Sequence, residues 1–174
     1  MFQQVLVAVD GSPTSNRGLK SAIGLASDQH AALTILHVID DTAGVSYVGD
    51  MGYVPANFVD TLLEDLRKNG RRILTKAEAA ARDGGVEAKT VLVETKGRTV
   101  ADTIVNQARK LRADVIVLGT HGRRGLRRVL MGSDAEAVLR EARMPVLLVR
   151  APEGSRGVPA EPGAKRAKKA SQTA

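Results

Sequence analysis

Five short apolar runs, alternating with segments of helical periodicity, constrain the fold of this chain more than any other feature. The runs occupy residues 5–9, 33–39, 88–93, 115–118 and 146–149; the second also contains Thr34 and His37, and the third Lys89 and Thr90. The first run is apolar throughout, as expected for a strand buried on both faces. Because strands that alternate with helices at this spacing form βαβ units, the sequence predicts an α/β fold, a doubly wound parallel sheet with helices on both faces.

Helix signals lie between the apolar runs. Three places combine an N-cap side chain with proline at the next position or with an acidic residue three positions on: Ser12 with Pro13, Thr99 with Asp102, and Ser133 with Glu136. A glycine pair at 84–85 ends the second helix. The predicted buried stripes are Leu19, Ala22, Ile23 and Ala26; Leu62, Leu66, Ile73, Ala77 and Ala80; Val100, Ile104, Ala108 and Leu111; and Ala135, Val138, Leu139 and Ala142.

The composition limits the class of protein. A chain of 174 residues with 43% hydrophobic and 26% charged residues is typical of one globular domain. It has no run of the roughly 18 apolar residues that span a bilayer. Residues 1–10 do not resemble a signal peptide, so we expect a cytoplasmic protein without membrane attachment. The absence of cysteine excludes disulfides, thiolate metal sites and cysteine nucleophiles.

The net charge of +7 is partly concentrated at the C-terminal end. Residues 151–174 contain no Leu, Ile, Phe, Tyr or Met and carry a Lys-Arg-Ala-Lys-Lys cluster. We therefore predict a folded domain over residues 1–150 and a disordered basic tail over 151–174. The tail is either solvated without a partner or a weak contact for nucleic acid or an acidic protein. Since no aromatic residue interleaves its charges, base stacking is not expected.

The glycine-rich segment after the fourth run resembles a phosphate cradle, with the pattern Gly119-x2-Gly122-x9-Gly132-Ser133. Glycines let another group approach the backbone, and a helix that begins at Gly132 and Ser133 offers N–H groups to an anion. Neither the Rossmann nor the Walker pattern fits, because the early glycines run G-x-x-G-x-x-G and no lysine precedes Ser133. The alternative is an ordinary glycine-rich connection.

Topology favours the ligand interpretation. If the first three strands wind one way and the last two the other, the strand order is 3-2-1-4-5. A doubly wound sheet binds ligands where the order reverses, beyond the carboxyl ends of strands 1 and 4. Those ends are residues 10–12 and 119–122.

These residues, together with Leu-His-Val-Ile39 and Pro145-Val-Leu-Leu-Val149, make residues 3–150 similar to the universal stress protein family, in its ATP-binding branch. The resemblance implies a five-stranded sheet of order 3-2-1-4-5, a dimer, and ATP or another adenine nucleotide as cofactor. It also implies that Asp10 lies beside the ribose and phosphates and is the candidate Mg²⁺ ligand. The implied nucleotide-binding residues are Ala8, Val9, Asp10, Val38, Leu118, Gly119, Gly122, Gly132 and Ser133.

Three functions remain open at this point. The first is a cytoplasmic ATP-binding stress-response protein that acts as a nucleotide-dependent regulator or binding module. The second is a slow Mg-dependent ATPase or self-phosphorylating protein that uses Asp10. No catalytic residue is assigned, because neither a P-loop lysine nor a convincing base is present. The third is binding of nucleic acid or an acidic partner through the tail.

Other residues carry weaker expectations. The apolar edge strand Val146–Val149 predicts a homodimer, with a monomer as the alternative. His37 is expected to be a hydrogen-bonded core histidine. Residues 41–57, with Tyr47 and Tyr53, are a possible lid. His121 and the four arginines at 123–128 either contact phosphate or are solvated.

Overall fold

The computed structural model describes residues 1–41, 58–120 and 131–150. The predicted Gly122, the lid residues Tyr47 and Tyr53, His121 with its neighbouring arginines, and the tail lie outside these ranges. Nine elements alternate along the described chain: β1 (Gln4–Ala8), α1 (Pro13–Gln29), β2 (Ala32–Ile39), α2 (Phe58–Asp83), β3 (Ala88–Glu94), α3 (Val100–Lys110), β4 (Val115–Gly119), α4 (Ser133–Glu141) and β5 (Val146–Val149).

The five strands form one parallel sheet with the order β3-β2-β1-β4-β5, which confirms the predicted topology. β1 is central, and its Val7 pairs with Ile35 of β2 and Val117 of β4. Among the helices that the structure describes, none combines the length and apolar character needed to cross a bilayer.

Two apolar layers cover the sheet, one on each face. Because side chains alternate along a strand, Val5 and Val7 point into the layer formed with α1 and α2, while Leu6 points into the layer formed with α3 and α4. These three side chains are at most 1% exposed, as expected for a strand buried on both faces.

Two of the three predicted N-caps are confirmed. The Ser12 hydroxyl accepts from the Ser15 N–H at 3.1 Å, with Pro13 as the first helical residue of α1. Thr99 and Asp102 form a reciprocal capping box at the start of α3. The box predicted for Ser133 and Glu136 is wrong, because Gly132 is the N-cap of α4 and Ser133 is already its first helical residue.

The buried helix faces agree with the prediction in part. Ala77 of α2 and Ile104 and Ala108 of α3 are buried as predicted, whereas six predicted positions are only half-buried: Leu62, Leu66, Ile73, Val100, Leu111 and Ala142. All four predicted residues of α1 are buried. In α2 the stripe passes through Leu74, Ala77 and Ala81, so Ala80 is exposed one residue to the side. In α4 only Ala135 and Val138 are buried, and Leu139 is 48% exposed because it lies beyond the contact with the sheet.

Candidate functional site

The candidate site lies where the winding of the sheet reverses, between the carboxyl ends of β1 and β4. From β1 the chain enters α1 on one face of the sheet, and after β4 the next described helix, α4, covers the other face. The ends of the two neighbouring strands therefore have helices leaving in opposite directions, which leaves a crevice in a doubly wound sheet.

Asp10 is held by the turn that follows β1. Its backbone N–H donates to the Ser15 hydroxyl at 3.0 Å, and its Oδ1 accepts from the Ser12 N–H at 2.9 Å. Gly11 between them has φ +81°, a conformation that strongly favours glycine. The carboxylate is thus half-buried and fixed at the start of α1, so it caps the turn and also lies at the predicted ligand position.

The start of α4 lies against the end of β4. The Thr120 N–H donates to the Val149 carbonyl at 2.9 Å, and the Gly132 N–H donates to the Thr120 carbonyl at 2.8 Å. As the N-cap, Gly132 has no side chain to accept from the first turn of the helix. A helix N-terminus without a side-chain cap presents N–H donors and the positive end of its dipole to an anion. Asp134 and Glu136 in the same turn add negative charge beside it.

Gly119 has a structural role that the sequence did not indicate. A Cβ on Gly119 would lie 2.9 Å from both the Ser15 nitrogen and the Thr14 carbonyl carbon. From the other side, a Cβ on Gly18 would lie 3.3 Å from the Gly119 nitrogen. Helix α1 therefore crosses the end of β4 in direct main-chain contact. The absence of a side chain at 119 is required by this contact, whatever binds nearby.

The apolar residues predicted to line a nucleotide pocket divide between the two layers. Ala8, Val38 and Leu118 contribute to the layer of α3 and α4 and lie near the ends of adjacent strands. The Val9 side chain is buried in the opposite layer, with α1 and α2. Its backbone carbonyl accepts from His37 Nδ1 at 2.6 Å, which confirms His37 as a hydrogen-bonded core residue.

A polar cluster at the ends of β2 and β3 was missed by sequence reasoning. The Asp41 carboxylate accepts from the Thr95 hydroxyl and from the Lys96 N–H, the latter at 2.9 Å. These hydrogen bonds, the one from Thr95 above all, hold the pKa of Asp41 below its usual value. Asp41 and Thr95 are 54 residues apart in sequence, so no local pattern could have paired them.

Metal binding depends on more than the described side chains. Within residues 1–41, 58–120 and 131–150, no three His, Asp or Glu side chains are grouped as metal ligands. Asp10 alone is not a metal site, so a cation here would require oxygen ligands from a bound molecule.

The sheet order, with the glycine-capped helix at the end of β4 and Asp10 at the end of the neighbouring β1, defines a doubly wound α/β protein, a fold class that binds small molecules at its strand crossover. The chain belongs to the universal stress protein family, which matches residues 1–150. It is 36% identical to the universal stress protein YxiE of Bacillus subtilis, over 86% of this chain and 100% of that protein. A solved universal stress protein from Burkholderia pseudomallei is also 36% identical, with a TM-score of 0.68 over 86% of this chain and 96% of that chain.

Two more distant structures of this fold contain adenine nucleotides. One is a universal stress protein from Archaeoglobus fulgidus in complex with dAMP, at 23% identity and a TM-score of 0.61, covering 84% of this chain and 97% of that chain. The other is a universal stress protein in complex with cAMP, at 24% identity and a TM-score of 0.61, covering 87% and 98%. At this identity the likeness establishes the shared fold.

Proposed function

We propose that this protein binds an adenine nucleotide, with ATP as the expected ligand, at the crossover between β1 and β4. The start of α4 carries the proposal. Gly132 leaves the first turn without a side-chain cap, and its hydrogen bond to Thr120 places that turn beside the end of β4. Backbone N–H groups at a helix N-terminus bind phosphate. The dAMP and cAMP complexes of two proteins with this fold support an adenine nucleotide as the ligand class.

The charges near α4 favour a nucleotide that carries Mg²⁺. Asp134 and Glu136 stand in the first turn, where they repel a bare triphosphate. A bound Mg²⁺ reduces that repulsion, and Asp10 is the candidate to face the ion. Ala8 and Leu118 offer apolar contacts for the base, and Val38 offers backbone groups to the adenine edge. Gly119 lies against the ribose and phosphates, and Gly132 and Ser133 donate to phosphate. The family resemblance gives Gly122, which is outside the described residues, the same role as Gly119. Val9 is expected to contribute only backbone atoms to the nucleotide site, because its side chain is buried in the opposite layer.

In this proposal the protein is a cytoplasmic regulator or binding module whose state depends on the bound nucleotide. It works as a homodimer through Val146–Val149. β5 is an edge strand of the described sheet, and Leu147 on it is 40% exposed. Two such edges related by a twofold axis pair antiparallel and close the contact.

Gly132→Asp tests the phosphate site. The new carboxylate accepts from the first-turn N–H groups and occupies the place of the phosphate. Mg-ATP at about a hundredfold its Kd stabilises a folded protein by ~2.7 kcal/mol, which is about 5–10 °C in melting temperature for a domain of this size. We expect this shift in the wild type and its loss in Gly132→Asp. Gly132→Ser also places an acceptor at the first-turn N–H groups but adds no charge, so it distinguishes blocking of these groups from electrostatic repulsion of the phosphate.

Gly24→Ala is the matched control. Gly24 lies within α1, and an added Cβ would have no neighbour within 4 Å. This variant should keep the full ATP shift, although it stabilises the helix by about 0.5–1 kcal/mol. An equal ATP shift in Gly132→Asp and the control would refute the site.

Mass spectrometry of nucleotide that co-purifies with the protein distinguishes binding from turnover. Intact ATP supports a binding module, whereas ADP supports the slow ATPase. A wild type that purifies empty and shows no thermal shift with ATP contradicts both.

A further inference from the structure

The outer edge of β3 presents ordered backbone groups. In the described parts of the chain β3 pairs with β2 alone. The Thr95 N–H donates to the Ile39 carbonyl of β2 at 3.0 Å. Since backbone groups of successive strand residues point to alternate sides, Thr90, Leu92 and Glu94 direct their N–H and C=O groups away from the sheet. The edge therefore offers donors and acceptors at the spacing of a strand.

A groove lies beside this edge, under α2. Its volume is 420 Å³, and its lining consists of Arg67, Arg71, Leu92, Val93, Glu94 and Lys96. Three consecutive residues of β3 thus share the groove with two arginines one helical turn apart. Leu92 is half-buried in the layer under α2 and supplies the apolar contact between the cations, whereas the Val93 side chain points to the opposite layer.

The residues that line the groove carry three positive charges and one negative charge, and the Asp41 carboxylate, bonded to the Lys96 N–H, adds a second negative charge at the end of the groove. Glu94 Oε1 accepts from Arg67 Nε at 2.6 Å, and this ion pair lowers the pKa of Glu94. The carboxylate is therefore ionised near neutral pH and balanced by Arg67. Among described residues, Arg71 and Lys96 form no ion pair with a carboxylate. Their two positive charges lie beside the outer edge of β3, which pairs with no other strand among the described residues.

We propose that the β3 edge and this groove bind an extended acidic segment of a partner protein, which adds to the sheet as a sixth strand. Main-chain hydrogen bonds to an exposed edge give affinity in this mode of recognition, and side-chain contacts give specificity. The segment's backbone pairs with Thr90, Leu92 and Glu94, while its carboxylates face Arg71 and Lys96.

The same charges oppose two other occupants. A second copy of β3, paired antiparallel about its middle, would bring Lys89 of each copy toward the end that carries Lys96 of the other, and like charges on facing edges oppose pairing. The chain's own residues 151–174 carry five Lys and Arg against two Glu, a net charge of the same sign as that of the groove lining. An acidic segment is attracted by each of these cations.

The direct test uses wild-type protein and fluorescein-labelled peptides of alternating Glu and Val, about the length of the seven-residue β3. Two further peptides carry N-methyl groups on one or the other alternate set of amides. Only one set faces β3, so fluorescence polarisation should show binding of the parent peptide and of one methylated peptide, with loss of binding for the other. A peptide of alternating Lys and Val should not bind.

Two protein variants test the edge and the charge separately. Thr90→Pro removes an outward N–H, and proline is tolerated on an edge strand when that group faces solvent. It should abolish binding, while Thr90→Val, which keeps the N–H, binds as the wild type does. Arg71→Glu on the exposed side of α2 should weaken binding by about tenfold or more, because attraction becomes repulsion.

Several outcomes would overturn the proposal. Equal binding of both methylated peptides, or equal binding by Thr90→Pro and Thr90→Val, would show a cationic patch without strand pairing. Preference for a DNA oligonucleotide of matched charge would assign the patch to nucleic acid. If the parent peptide does not bind, the proposal is wrong, and the role left to the cations is to prevent other strands from pairing with this edge. If Thr90→Pro melts far below the wild type, its loss of binding is not informative. The comparison of the two N-methylated peptides on wild-type protein then decides whether the peptide pairs with β3.

Discussion

Replacement of Gly119 by alanine tests whether the fold itself requires a glycine at this position, independently of any ligand. The added Cβ would lie 2.9 Å from the Ser15 nitrogen, 2.9 Å from the Thr14 carbonyl carbon and 3.0 Å from the Thr14 oxygen. All three atoms are main chain, so no rotamer change can relieve the contact. Either α1 or the end of β4 must move.

The size of the effect follows from these distances. Ordinary van der Waals contact begins near 3.4 Å, so the two elements must separate by about half an ångström. Overpacking of this kind costs about 1–3 kcal/mol, which corresponds to about 2–12 °C in melting temperature for a domain of this size. Gly18→Ala meets the same contact at 3.3 Å and should cost less, since alanine also favours the helix.

The assay is urea denaturation without nucleotide, with Gly24→Ala as the control. The same chemical change at Gly24 meets no neighbour and should stabilise the protein by about 0.5–1 kcal/mol. The two Gly→Ala variants are therefore expected to differ in sign. If Gly119→Ala unfolds within about 0.5 kcal/mol of the wild type, the main-chain contact does not limit stability and the reasoning fails.

Three further predictions concern the ends of the chain and the sheet. The Asp114 carboxylate accepts from the backbone N–H groups of residues 3 and 4 at 2.7 and 2.8 Å, and these bonds lower its pKa. Asp114→Asn should therefore be less stable than the wild type above pH 3.8, and the difference should disappear as the pH falls through the lowered pKa; denaturation at neutral and acidic pH checks this, and an unchanged difference contradicts it. Removal of residues 151–174 should leave the melting temperature and ATP binding unchanged, because the segment has almost nothing to bury; a large loss of stability would show that it contacts the domain. Leu147→Lys should convert the dimer to a monomer in light scattering, and a monomeric wild type or a fully dimeric variant would place the interface elsewhere.

The sheet could be predicted because its signals are local and repeated. Each strand contains an apolar stretch, and each prediction of a strand agrees with the structure to within one residue at either end. The strand order follows from the alternation together with one assumption about winding. The caps at Ser12 and Thr99 were readable for the same reason, since a hydroxyl that accepts from an N–H three residues later is a local interaction.

The capping box predicted at Ser133 is wrong for a local reason. The helix begins one residue earlier than the box requires, and the N–H of Glu136 donates to the Gly132 carbonyl.

Features set by contacts between distant segments could not be predicted. The ion pair between Arg67 and Glu94 and the bonds between Asp41 and Thr95 join residues far apart in sequence. A glycine near a ligand and a glycine beneath a helix look the same in sequence. Only the position of α1 explains Gly119.

At the crossover, the main-chain contact between α1 and β4 fixes the position of the backbone, whereas other residues provide the side chains that a small molecule would contact. Because backbone atoms meet at Gly18 and Gly119, the distance between α1 and the end of β4 is set by main-chain atoms. Ala8 and Val38 lie on the opposite face of the sheet, in the layer of α3 and α4. Substitution of these residues changes the apolar surface near the strand ends and leaves the contact between α1 and β4 unchanged. A framework of this kind can be adapted to different small molecules by substitution at a few positions without being rebuilt.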